Sequence, residues 1–354
     1  MYKKQNMITF HIKRGVIMFI PKRVIFEKSS FNYARGRELY DYFRRKNIET
    51  ILLSSDRIQG VPGKNPEEKY KEGKGTLIIS VRKSLDFQSC KPSAHYQLPL
   101  VSGCMGQCEY CYLNTQLGDR PYVRAYVNIE EILERADKYI KERKEDTTIF
   151  EGAATSDPLP VEPYTKSLNQ TINFFAKQPK GRFRFVTKYT DIEDLLNIDH
   201  NKHTTVRFSI NTENVISRFE HHTPSVGKRI EAAKKIIKSG YPSGFIIAPV
   251  FLEGDWKKDY EDLFIMLKEN INDVASNISF EIISHRFTLK AKKRILDVFP
   301  NTELPMNEEE RSFKYGQFGY GKYVYEKHQL DNMKEFFQKN IERHFPNSTI
   351  MYII

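Results

Sequence analysis

Three of the four cysteines stand together, in Val101-Ser-Gly-Cys-Met-Gly-Gln-Cys-Glu-Tyr-Cys-Tyr112, with the spacing C-x3-C-x2-C. Thiolates this close along a chain can wrap one soft metal centre. Cys104, Cys108 and Cys111, on a tight glycine-bearing loop, suit three irons of a cubane 4Fe–4S cluster. The fourth iron then has no protein ligand and stays open to a small molecule. Clusters used for electron transfer alone usually take four cysteines, and a structural zinc site wants four closed ligands. Three thiolates point to a cluster that binds its co-substrate directly. The rival is a zinc knuckle completed by a nearby histidine or acid. Against it, the nearest histidine, His95, precedes the motif instead of following it at ligand spacing.

The elements that must position this loop show as short apolar runs. Residues 96–101, 148–152, 182–187, 205–210, 244–250 and 278–283 read as strands. Helical stripes lie between them: Ile129, Ile132, Leu133, Ala136 and Ile140 form one, and Ile230, Ala233 and Ile237 another, ended by Gly240. Such β/α units in series imply a parallel sheet with right-handed crossovers. The fold class is therefore α/β: a partial (β/α)6 barrel of TIM type over residues 96–300. Sites on such sheets gather at the C-terminal ends of the strands, and the cysteine loop follows the first strand. Ahead of the barrel, strands at 23–26, 50–53 and 76–81 and a helix at 34–46 make a small α/β region over 21–95. After it, Phe313-Lys-Tyr-Gly-Gln-Phe-Gly-Tyr-Gly-Lys-Tyr-Val-Tyr325 alternates aromatics with glycine and lysine and reads as a β-hairpin. A helix at 330–344 and a strand at 349–354 complete a C-terminal unit, 301–354. Residues 1–20 read as a disordered N-terminal extension.

The chain has 354 residues, 40% of them hydrophobic, enough for a sizeable core. Its net charge of +11 favours polyanionic partners, with a plain lysine-rich surface as the bland alternative. Four cysteines with three in one loop are no disulfide framework and suit a reducing interior. No apolar run approaches the roughly 20 residues that a spanning helix needs.

An aromatic residue, Tyr110, precedes the third cysteine, and in this the loop resembles the signature of the radical S-adenosylmethionine enzymes. The runs around it are similar to the spore photoproduct lyase family. They are Lys83-Ser-Leu-Asp-Phe, Lys91-Pro-Ser-Ala, Gly103–Leu113, Arg120-Pro-Tyr-Val-Arg-Ala-Tyr-Val-Asn128, Arg184-Phe-Val-Thr-Lys188, Arg207-Phe-Ser-Ile-Asn211 and Ser284-His-Arg-Phe287. The resemblance extends from roughly residue 21 to the C-terminus, and Met18 looks like the more usual start. It implies a 4Fe–4S cluster, S-adenosylmethionine, and repair of spore photoproduct, 5-thyminyl-5,6-dihydrothymine, in DNA. A monomer in the cytoplasm of the spore core, with a flavodoxin- or ferredoxin-type electron donor and no membrane, goes with that family. The alternatives are a radical enzyme acting on RNA or a small molecule, and a non-enzymatic metal-stabilised DNA-binding protein.

The resemblance also implies roles for single residues. Ser156, Lys188, Ser209 and Ala248, at successive strand ends, would contact S-adenosylmethionine; plain strand packing stays open for Ser209 and Ala248. Tyr110 and Tyr112 would form a radical relay, or pack over the cluster. Most members carry a hydrogen-donating cysteine where this chain has Ala154. Either Ala154 is an engineered substitution, or another residue donates. Cys90 is the remaining cysteine and the favoured donor. Where the family has Arg-Tyr at the tip of a lesion-recognition hairpin, this chain has Gln317-Phe318. Lys314, Lys322 and Arg311 would track phosphates beside it.

Overall fold

The computed structural model describes residues 12–13, 16–58, 60–143, 146–274, 277–315 and 321–354. Along the chain the strands are β1 (Arg23–Phe26), β2 (Glu49–Leu52), β3 (Thr76–Ser80), β4 (Ser89–Cys90), β5 (Ala94–Gln97), β6 (Val101–Ser102), β7 (Gln107–Cys108), β8 (Val123–Tyr126) and β9 (Thr148–Glu151). They continue with β10 (Gly181–Thr187), β11 (Thr204–Ile210), β12 (Glu220–His221), β13 (Ser243–Val250), β14 (Ser279–Ser284), β15 (Ser312–Tyr315), β16 (Gly321–Val324) and β17 (Thr349–Ile353). The main sheet runs β17-β14-β13-β11-β10-β9-β5-β4, parallel throughout except for the edge strand β4.

Parallel sheets covered on both faces carry strands that are apolar on both faces. These strands alternate instead. Phe183 and Phe185 of β10, Val206 and Phe208 of β11, Phe245 and Ile247 of β13, and Phe280 and Ile282 of β14 are all buried. They face the helices Ser167–Ala176, Val226–Lys238 and Trp256–Ile271. Burying one such side chain is worth about 1.5–3 kcal/mol. The residues between them, Arg184, Arg207, Ser209, Ile246 and Glu281, point to the other face and line a cavity or its floor. The sheet is thus a curled half-barrel with an apolar outside and a charged lumen.

The floor of that lumen is one buried network. Arg207 donates to both oxygens of Glu281, at 3.1 and 3.0 Å, and to Glu151. Arg184 donates to Glu281, and the Tyr352 hydroxyl reaches the same carboxylate at 2.6 Å. Burial alone would raise the Glu281 carboxyl; Arg207 and Arg184 outweigh it and hold it below the ordinary range.

Several elements differ from the sequence reading. The six β/α units are present, but the last strand, β17, joins the same sheet beside β14 instead of closing a separate C-terminal unit. The helix Lys327–His344 is its crossover. The N-terminal sheet, ordered β2-β1-β3-β8-β6, takes in two strands that follow residue 95. One of them, β8, went unread because Val-Arg-Ala-Tyr is too short and too polar to stand out. Part of the expected disordered extension is structured: Ile12–Lys13 pairs with Val16–Ile17, and Phe19 is buried, its carbonyl accepting from the Tyr164 hydroxyl at 2.5 Å. Phe19 fills core volume, which a sequence window of mixed polarity does not reveal.

Replacing Glu281 with Gln leaves two guanidiniums facing each other in the lumen. A loss of about 3–5 kcal/mol is expected near neutral pH, read from urea unfolding of the metal-free protein. A carboxyl depressed in the fold stabilises above its unfolded pKa and loses that contribution as pH falls. The gap between wild type and variant should therefore narrow on acidification; a gap independent of pH would contradict the network.

Candidate active site and cofactor pocket

The cysteine loop is pinned at both ends. Gly103 sits at φ +79, where a side chain would collide with the Tyr122 carbonyl, so only glycine fits. Its amide donates to Thr155 O at 3.0 Å, stitching the loop to the segment after β9. Further along, β7 pairs antiparallel with β12. Inside the loop, Asn114 Nδ2 donates to the carbonyls of Cys108 and Glu109 at 3.1 and 3.2 Å, and Lys74 Nζ to the Cys104 carbonyl at 2.9 Å. The Gly106 amide lies 3.3 Å from Cys104 Sγ.

Cys104, Cys108 and Cys111 all face one cavity of about 460 Å³ in the lumen. Burial pushes the Cys104 thiol up to about 12 and raises the Cys108 thiol too. Such thiols ionise only when a bound cation is present, and coordination to metal deprotonates them outright. Among the described residues no three thiol, imidazole or carboxylate groups are gathered around a single-ion position. Three thiols on one wall, spread over a pinned loop, fit a multi-iron cluster.

The strand ends supply the rest. Ser156 lines the cavity with a buried hydroxyl that has no partner, an open hydrogen-bonding position for a bound molecule. Asp157 fixes the turn, accepting from Lys188 N and Thr187 Oγ1 at 2.9 Å each; burial raises its carboxyl to about 6. Lys188 Nζ donates to Ser209 Oγ and Glu220 Oε1, both at 2.9 Å, and lies 3.2 Å from the Tyr110 hydroxyl. Glu220 also takes a 2.6 Å bond from the fully buried Arg229. Burial would raise Glu220, but Arg229 and Lys188 prevail and hold it at about 2. Lys188 and Arg229 both pair with Glu220, and the Asp157 carboxyl lies within electrostatic reach of Lys188. Glu220 and Arg229 escaped the sequence reading, because nothing in the run around them marks them as buried.

Cys90, Ala153, Ala154 and Tyr112 also line the cavity. The Tyr112 hydroxyl donates to the Ala154 carbonyl. Cys90 belongs to a hairpin tied to the floor: Ser93 Oγ donates to Glu151 Oε2 at 3.0 Å, and Arg184 donates to the Ser93 carbonyl at 3.0 Å. Burial raises the Cys90 thiol to about 11. Tyr110 stands behind the lining, its hydroxyl on Glu220 and its ring 6.2 Å from Phe251. At β13 the cavity is lined by Ile246; Ala248 lies one pleat further on the same face and is half-buried.

Beyond the sheet, β15 and β16 form the expected hairpin, with Lys314 directly opposite Lys322. Gln317 and Phe318 lie outside the described residues. Arg311 is not a phosphate-tracking side chain. It is buried, paired with Glu253 at 2.8 Å, and stacked 3.5 Å over the Tyr325 ring. No helix of the described residues is long and apolar enough to cross a membrane.

A curled parallel half-barrel with three cysteines on a loop at the C-terminal end of its sheet defines the class of radical S-adenosylmethionine enzymes. Within that class, the profile of the spore photoproduct lyase family matches residues 19–354. The spore photoproduct lyase of Clostridium acetobutylicum is 54% identical over 333 residues, 94% of this chain and 98% of that protein. The one from Bacillus subtilis is 44% identical over 336 residues, again 94% and 98%. Among solved structures, a spore photoproduct lyase double mutant (cysteine to alanine, serine to cysteine) with bound AdoMet and dinucleoside spore photoproduct has a TM-score of 0.92. It is 41% identical, with 95% of this chain and 99% of that chain covered. A spore photoproduct lyase complexed with dinucleoside spore photoproduct matches equally, at TM-score 0.92. This chain belongs to the spore photoproduct lyase family.

Replacing Cys104, Cys108 or Cys111 with alanine should strip iron and acid-labile sulfide from the anaerobically reconstituted protein and bleach its visible absorbance. A single variant that kept the full complement would remove that cysteine from the ligand set.

Proposed function

We propose that this chain reverses spore photoproduct in DNA to two thymines, without excision. The observation that carries it is one lumen lined by three cysteines, a partnerless serine hydroxyl and a protonated thiol. Cys104, Cys108 and Cys111 hold the 4Fe–4S cluster. Ser156, Lys188 and Ser209 orient S-adenosylmethionine, with Ala248 further out. When bound, the two together supply a 5′-deoxyadenosyl radical, and the protein contributes orientation and exclusion of water.

The chain's own chemistry is the return of a hydrogen atom. Once the methylene bridge of the lesion breaks, one thymine carries an unpaired electron. Cys90 gives it a hydrogen atom: the S–H bond breaks, a C–H bond forms, and a thiyl remains. A thiol raised to about 11 is S–H at neutral pH, the form this step needs. Tyr112 would then pass its phenolic hydrogen to the thiyl, and the relay, with Tyr110 as its second member, would regain that hydrogen atom from 5′-deoxyadenosine, returning the radical to it. A comparison supports Cys90. In the double mutant with bound AdoMet and dinucleoside spore photoproduct, the serine made cysteine and the cysteine made alanine lie as far apart in sequence as Cys90 and Ala154 do here.

The lesion must leave the duplex to reach the lumen. The hairpin of β15 and β16 is the wedge, with Gln317 and Phe318 at its tip and Lys314 and Lys322 along the phosphates. The reading extends to a monomer in the spore core and a reducing partner of flavodoxin or ferredoxin type.

Anaerobic turnover of a spore-photoproduct dinucleotide, followed by chromatography, tests this. Wild type should give clean thymine pairs. Cys90→Ala should still cleave S-adenosylmethionine but divert the thymine radical to adducts. Adding Ala154→Cys to that variant should restore clean repair. Clean repair by Cys90→Ala alone would clear Cys90 of the role.

A further inference from the structure

Arg286 follows β14 at the rim of the lumen, and its two neighbours fix its place. The His285 amide donates to Val250 O at 2.8 Å. Phe287 exchanges both backbone hydrogen bonds with Tyr323 of the hairpin, at 3.1 and 2.7 Å, and their rings stack with centroids 5.3 Å apart. The bridge is antiparallel, so Arg286 falls opposite Val324 and diagonally, on the same face, from Lys322, within electrostatic reach of it. The hairpin register in turn sets Lys322 directly across from Lys314. Three cations are gathered by backbone bonds.

Like charges facing each other across a strand pair cost stability, and here nothing offsets them. Among the described residues none of the three has a carboxylate partner, and residues 316–320 contain no Asp or Glu. The neighbouring Arg311 makes the contrast, since it has Glu253. Burial lowers the Arg286 guanidinium, and burial, then Arg286 and Lys314, lower the Lys322 ammonium. A guanidinium cannot shed its proton to relieve this. On its other side Arg286 is within electrostatic reach of Tyr352, whose ring lines the lumen. The uncompensated charge therefore stands at the C-terminal end of β14, between the hairpin and Tyr352 of the lining.

We propose that Arg286, with Lys322 and Lys314, forms a binding site for a phosphodiester of the lesion-bearing strand at the mouth of the lumen. The planar fork of Arg286 takes two phosphate oxygens, and the lysines act as point charges. This rests on the lyase reading for the identity of the strand, but it concerns a group that a dinucleoside substrate lacks.

That difference is the test. Wild type, Arg286→Gln and Lys322→Gln are compared on dinucleoside spore photoproduct and on the same lesion in an oligonucleotide. Binding of a lesion-free oligonucleotide is measured in parallel against salt. Arg286→Gln should lose about 10- to 100-fold in kcat/KM on the oligonucleotide and leave dinucleoside turnover unchanged. Its log–log salt slope for binding should become shallower by about 0.9, the release of one counterion. Lys322→Gln, on the hairpin, should show the same oligonucleotide-selective loss even if Arg286→Gln folds poorly. Equal loss on the dinucleoside, or an unchanged salt slope in both variants, overturns the site. If wild type repairs neither substrate, the lyase reading falls by itself, while the salt slopes still decide whether Arg286 holds a phosphate.

Discussion

Two guanidiniums and two carboxylates inside the half-barrel carry more of this structure than any apolar contact does. In a closed TIM barrel the interior is filled by layers of branched side chains. Here the equivalent positions hold Glu151, Arg184, Arg207 and Glu281, capped by Tyr352. The charges sum to zero, so the network is tolerable in a dry lumen, but no member can leave without stranding another. It also reaches outward. Glu151 accepts from Ser93 and from the Ala153 amide, and Arg184 holds the Ser93 carbonyl. The segment that carries Cys90 and the segment that carries Ala154 therefore rest on the same foundation. An apolar floor of equal volume would pack as well and would hold neither.

The upper part of the lumen follows a second electrostatic constraint. Buried thiols resist ionisation, yet a cluster needs three thiolates. The protein prepares for that negative charge. Lys188 and Arg229 both pair with Glu220, and Lys74 touches the loop at the Cys104 carbonyl. Lys188 is thus committed in part before any ligand arrives. Its bonds to Ser209, Tyr110 and Glu220 hold it in place instead of leaving it free to search.

What was legible in the sequence was what depends on local pattern. The three cysteines are read from spacing. The barrel strands are read from short aromatic and β-branched runs, and the stripe from Ile129 to Ile140 from its helical period; all of it is buried. What escaped depends on distant partners. Glu220, in a run with no periodicity, is defined by Arg229 and Lys188 across the fold. β8 and β6 join the N-terminal sheet because β3 offers an edge there, which four residues cannot announce. Arg311 reads as an exposed cation near a hairpin, but Glu253 and the Tyr325 ring make it a buried pillar. The alternation of Phe with Arg in β10 was visible, and it means a polar lumen once the sheet is known to be parallel.

Position 154 meets the lumen through its backbone as well as its side chain. Tyr112 is anchored to the backbone carbonyl of Ala154, not to its side chain. The accepting atom belongs to the backbone, so this contact does not depend on which side chain stands at 154. Cys90 enters the same lining on a hairpin fixed at Ser93. Ala153 and Ala154 line the same cavity with no more than a methyl group each. The constraint common to both segments is the floor: Glu151 and Arg184 hold Ser93, three residues from Cys90, and Glu151 also accepts from the Ala153 amide next to Ala154.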